Sequence, residues 1–413
     1  MISSLSACMW AAYGACAVVF VMVSEAAVTV ARVAWTRLCR LSTTQGGGHM
    51  TIEVDTSVVR GGAEASGELA SDVNRALEYF DSHIDKSQSW VAGELMNWLL
   101  AEHSSFAASV ESGLLRSKSL MAATQGALND VAQRFDENEY DAQVTVRDLF
   151  GDLDPTAVTT PIDADTARQS LAFDSPVGAL VAPESSLADP AFQVVWGILT
   201  WPDYLSLSFL TRKLINGAIQ LVQPGWTGGQ DVFEFLAQKL SGDWDKVALA
   251  GSAFGHVGDF FDELAGTVQN LAVGVFASWT SGEGADQAGE YFAELVAAFA
   301  AQPDVYSDLE TKYTNAAWAA YGACQAMLSA LDALVDAIIA AAMGVSSVAE
   351  AVAALFTLGG MAPAAIVTAV IAAVQAFSSA WGVMMTATST AIAAGAVIGS
   401  ATTTIEFVSI PEA

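Results

Sequence analysis

Apolar residues return every three or four positions over most of this chain, the period of one buried face of a helix. Leu69, Val73, Leu77 and Phe80 make one such face, and Leu114, Leu115, Met121, Leu128, Val131 and Phe135 make a second. Trp90-Val91-Ala92-Gly93 lies between them, so 57–150 reads as a helical hairpin or short bundle. Further on, Phe260, Phe261, Leu264, Val268, Leu271 and Val275 lead up to Trp279. The period resumes after Gly282-Glu283-Gly284 in Tyr291, Phe292, Leu295, Val296 and Phe299. Past Pro303 it continues through Leu309, Tyr313, Ala317, Tyr321, Cys324, Leu328, Leu331, Val335 and Ile338. These are long antiparallel helices with a Gly-rich corner, and they fill 191–345.

Between the two periodic regions the pattern stops. Five of the ten prolines fall in 151–190, with seven Asp or Glu against the single Arg168. Proline at that density blocks helix interiors and strand ladders, which predicts an acidic, extended linker. From 346 to the end the chain is Ala- and Gly-rich, and no charged residue occurs over 351–405. Pro363 divides this stretch into two expected apolar helices, and only 402–410 alternates in a strand-like way. The expected fold is all-α: long antiparallel helical hairpins and bundles joined by an acidic Pro-rich linker.

The first segment, 1–49, has an uncharged run over 5–24, about 30 Å as a helix and enough to cross a hydrocarbon core. Arg32, Arg37 and Arg40 follow this run and none precedes it, the reverse of a secretory signal peptide. Two readings stand for it: a membrane anchor, or upstream sequence read through from an early start codon before Met50. The heptapeptide Trp10-Ala11-Ala12-Tyr13-Gly14-Ala15-Cys16 recurs identically at Trp318-Ala319-Ala320-Tyr321-Gly322-Ala323-Cys324, and nothing in the sequence accounts for it.

Composition narrows the function. The 413 residues are 53% hydrophobic and 15% charged, and acids outnumber bases 45 to 16, for a net charge of -29. That sign disfavours nucleic acid and polybasic contact with anionic membranes. Four cysteines, three of them in the first 40 residues, make no disulfide framework, and the four histidines sit at no metal-ligand spacing. Ser252 lies one turn before His256 with no nucleophile-elbow sequence around it. The acidic run at 136–141 lacks the glycine and the closing glutamate of a calcium loop. The expectation is a protein without catalysis, cofactor or metal.

Trp279-Thr280-Ser281-Gly282 between two helices, followed by Ala285, Ala288 and Tyr291, resembles the Trp-X-Gly corner of substrates of the actinobacterial type VII (ESX) secretion pathway. The approach to it, Trp226-Thr227-Gly228-Gly229 through Gly242-Asp243-Trp244, is similar to helical modules of secreted actinobacterial proteins, and Trp90 with Gly93 marks a looser second corner. In such a corner an indole wedges between helix ends while glycine takes backbone angles closed to other residues. The resemblance implies an export signal of the form Tyr-X-X-X-Asp/Glu. Tyr306-Ser307-Asp308-Leu309-Glu310 matches it downstream of the corner, and changing Tyr306 or Glu310 to Ala is expected to stop export while leaving folding intact.

It further implies a secreted or cell-envelope protein and a role in protein–protein interaction or effector carriage; related modules lead toxin domains. The partners implied are a small Trp-X-Gly helical protein or a second copy of the chain, and the secretion machinery. The alternative is a membrane-inserting or pore-forming protein that uses the apolar 351–405 hairpin, with small residues letting its helices approach closely.

Overall fold

The computed structural model describes residues 54–84, 93–150, 171–187, 213–240, 242–279, 283–342 and 364–408, apart from single positions inside these ranges; for 138–150 only the course of the helix is described. Seven helices are considered: α1 (Thr56–His83), α2 (Glu94–Phe150), α3 (Val232–Leu240), α4 (Trp244–Ser278), α5 (Glu283–Ala300), α6 (Pro303–Ala342) and α7 (Ala364–Glu406). The described residues form no strand, and Val54 and Trp279 make only an isolated bridge, so the all-α expectation holds. Trp90, Gly282, the 1–49 segment and the first WAAYGAC heptapeptide lie outside the described residues.

Local chemistry sets several boundaries. Asp55 caps α1, its carboxylate accepting the Ser57 N–H at 3.0 Å and satisfying one of the donors that a helix start leaves free. Pro303 opens α6 at the position where a missing N–H costs nothing. The chain between α5 and α6 does not reverse. Phe299 of α5 and Tyr306 of α6 both meet Phe261 of α4, so the two helices form one broken rod running antiparallel to α4.

The packing order follows from named neighbours. The α1–α2 hairpin is held by Lys118 donating to Asn74 at 2.7 Å and by the Arg60–Asp136 ion pair. α4 lies antiparallel to α1, with Gly62 under Val275 and Tyr79 bonded to His256. α7 lies antiparallel to α6, since Gln302 reaches the Ala401 carbonyl at 3.0 Å while Met327 and Phe377 line one notch. α7 also runs parallel to α2, with Phe106 against Gly395 and Thr402 against Gly113. Each rod touches the next, in the order α1, α2, α7, α6, α4 and back to α1. The described rods therefore close a five-membered ring around one continuous apolar core, in which Val59, Leu69, Leu114, Phe254, Phe260, Leu264, Leu309 and Leu334 are fully buried.

One detail differs from the sequence expectation. Thr402–Glu406 do not form a strand; they are the end of α7, because Thr402 and Ile405 fall on the helix face that packs on α2. The second apolar face of 57–150 lies on α2, a single helix of 57 residues. α7, 43 residues long with Glu406 its only charge, is the one described helix long and apolar enough to cross a membrane.

The proline-rich stretch is not remote from this ring. Leu171 and 173–185 lie along the seam of α1 and α4, without regular structure except for a 3-10 turn at Pro176–Ala179 capped by Ser175. Leu171, Pro176 and Leu187 are buried there.

Candidate functional site

The corner residue Trp279 closes α4, and its backbone N–H still donates to Val275. Its indole is buried, stacked on Phe276 at 6.0 Å and edge-on to Phe135 of α2 at 6.3 Å. A Cβ at Gly284 would lie 3.2 Å from the indole, a tight contact that glycine avoids where α5 approaches the ring. Phe276 meets Phe292 at 5.8 Å just beyond, which shows the chain reversing between α4 and α5. Gly93 stands immediately before α2.

Tyr306 and Glu310 sit on the face of α6 that meets α4. Three glycines of α4 make this approach possible. A Cβ at Gly258 would lie 2.9 Å from the Cβ of Tyr306 and 3.3 Å from the Pro303 carbonyl; one at Gly251 would lie 2.9 Å from the Cβ of Tyr313 and 3.2 Å from the Glu310 carbonyl. Between them, the Glu310 carboxylate lies over Gly255, so close that any side chain there would overlap it.

This seat determines what each residue can do. Tyr306 is 1% exposed, stacked on Phe261 at 5.7 Å, and its hydroxyl has no hydrogen-bond partner. Burial pushes its phenol well above the usual tyrosine range. The expectation that Tyr306→Ala leaves folding intact therefore does not hold: removing a ring this deeply packed opens a core cavity. Glu310 is half-buried. Burial raises its pKa, the His256 charge opposes that rise, and Asp259 adds to it.

A carboxyl whose folded pKa is raised destabilises the fold once it ionises, so its contribution to stability is best at low pH and is lost as pH rises through the folded pKa. Glu310→Gln should leave stability near pH 4 unchanged and raise it at pH 8. Denaturant midpoints of both chains at the two pH values measure this, and an equal difference at both would contradict it.

Two histidines organise the surroundings. His256 Nδ1 is 2.8 Å from the Tyr79 hydroxyl, whose pKa burial raises, and the Tyr79 ring lies 4.7 Å from that of His83. His103 lies inside the ring of helices, fully buried. Its Nε2 faces the Ile84 carbonyl at 3.1 Å, an acceptor only, so Nε2 carries the proton and donates. Nδ1 then accepts from the Tyr313 hydroxyl at 2.7 Å, and Phe254 packs edge-on against the imidazole. Both polar groups are thereby satisfied within the buried core, a tie that holds α2 to α6 and to the end of α1. The sequence carries no sign of it, because its members are 210 residues apart.

Ser252 and His256, one turn apart, do not pair: the Ser252 hydroxyl accepts the Glu184 N–H at 3.3 Å. Asp136, in the acidic run, pairs with Arg60. Among the described residues no group of three His, Cys, Asp or Glu side chains could share a metal ion. No family model matches the chain, and no curated protein or solved structure is similar enough to count as a relative.

Proposed function

We propose that this protein is an exported, non-catalytic helical module of the type VII (ESX) kind that works by helix-to-helix docking. The observation that carries the reading is the corner. An indole is clamped where α4 turns back into the α5–α6 rod, and the Tyr306–Glu310 pair follows on that rod at a glycine-lined seam. Within the pair, Glu310 is the half-exposed member that a recognising partner can reach, while Tyr306 holds the helix in place.

Conservative variants separate packing from recognition. Tyr306→Phe keeps the buried ring and removes only an unpaired hydroxyl; Glu310→Gln keeps the shape and removes the charge. In an actinobacterial host with an active type VII system, the unaltered chain should reach the culture filtrate. Glu310→Gln should stay in the cell pellet as a folded protein, and its normal appearance in the filtrate would remove the assigned signal.

A second reading is favoured by α7 alone. Most of its apolar stretch is not covered by the rest of the protein, and Ile371, Val383 and Val397 are exposed on it. A membrane-inserting protein would release dye from liposomes and lose that activity in Val383→Glu/Val397→Glu. The docking reading expects the dye to be retained.

A further inference from the structure

The segment 171–187 is not simply laid over the ring; it is bound at four kinds of contact along one groove. Leu171 drops its side chain onto Gly274 of α4, where any Cβ would overlap it. Ser175 donates to Asp72 of α1 at 2.7 Å, and that carboxylate is 7% exposed. The same serine hydroxyl accepts the Val177 N–H, fixing the turn that buries Pro176. Farther along, Glu184 donates its N–H to Ser252, and the Ser185 hydroxyl donates to Asp245. Leu187 is buried at the end.

From Leu171 on Gly274 to Ser185 on Asp245 the segment follows α4 for roughly 43 Å, at about 1.5 Å per residue of that helix, in an open conformation interrupted by the turn at Pro176–Ala179. Proline and a net acidic composition suit such a conformation, since neither favours a helix of its own here. Yet the groove contributes the more specific half: a glycine notch for an apolar side chain, then a nearly buried carboxylate for a serine hydroxyl placed just before a proline. The Asp72 carboxylate pairs with Arg75 at 3.4 Å through one oxygen and accepts the Ser175 hydroxyl at 2.7 Å through the other, so a ligand lacking the hydroxyl leaves that second, buried oxygen without its bond.

We infer that the α1/α4 groove is a peptide-binding site for an extended segment with an apolar residue four positions before Ser-Pro, and that 171–187 is its resident ligand, bound in cis. The inference stands on the groove alone and does not depend on export.

The test uses the full chain with 171–187 replaced by a Gly/Ser stretch of equal length, and a fluorescent peptide of residues 171–187 as the probe. Saturable binding is expected, weakened about tenfold or more when the peptide carries Ser175→Ala or the chain carries Asp72→Ala. A folded chain that ignores the peptide, or binds a scrambled peptide equally well, overturns the site.

Amide exchange on the otherwise unaltered chain gives a second arm that does not require the Gly/Ser chain to fold. Asp72→Ala should speed exchange at the Gly178 and Leu180 N–H groups, which bond to Ser175 and Val177 carbonyls, by about tenfold while α7 is unaffected. Unchanged protection there overturns the proposal as well.

Discussion

Placing valine at both Gly251 and Gly258 should separate α4 from α6 and lower stability by about 3 kcal/mol or more, at the upper end of what overpacking costs. The reason lies in what the new side chains would meet. At Gly258 the Pro303 carbonyl is 3.3 Å from the added Cβ, and at Gly251 the Glu310 carbonyl is 3.2 Å away. Backbone atoms of a rod packed on α4 and α7 cannot step aside as a flexible side-chain tip can.

The control is Gly266, on the same helix, where an added Cβ meets nothing within 4 Å. Gly266→Ala should be neutral or gain about 1 kcal/mol from helix propensity. Guanidinium unfolding with an unchanged denaturant slope measures both. Equal stability of the Gly251→Val/Gly258→Val chain and the parent would mean that the α4–α6 contact is not close.

Tyr306→Ala should cost about 3–5 kcal/mol, the range for removing a fully buried aromatic ring. Tyr306→Phe should be neutral or slightly stabilising, because the hydroxyl has no partner to lose and its desolvation goes unrewarded. The contrast decides between two roles for this residue. If the alanine chain unfolds at the same denaturant concentration as the parent, Tyr306 is not a core residue and the stacking on Phe261 is not holding α6. If the phenylalanine chain is strongly destabilised, the hydroxyl has a partner after all.

Much of the helical content was legible from period alone. Leu69, Val73 and Phe80 are buried on α1, and Phe260, Phe261, Leu264, Val268, Leu271 and Val275 are all buried on α4. The sites where the pattern misled are instructive. Leu115 follows Leu114 in the sequence but is 48% exposed, since adjacent positions on a helix point about 100° apart and only one can face the ring. Residues 402–406 alternate like a strand, yet α7 continues through them, because packing against α2 and the Gln302 bond to Ala401 reward helical spacing there. Tyr306 and Glu310 were found by a spacing rule, but that rule contained nothing about Gly251, Gly255 and Gly258, which decide how far each is buried.

Sequence by itself determined the class of fold, for a local reason. Hydrophobic period, capping residues, prolines and the Trp279 corner act within a few positions of one another, so their consequences can be read in order along the chain. Which rods touch was decided only in three dimensions. The closure of α7 onto α2, the His103–Tyr313 tie and the seating of Leu171 on Gly274 join residues about 100 to 300 positions apart. They depend on glycines and buried polar atoms whose partners are defined only once the ring has closed.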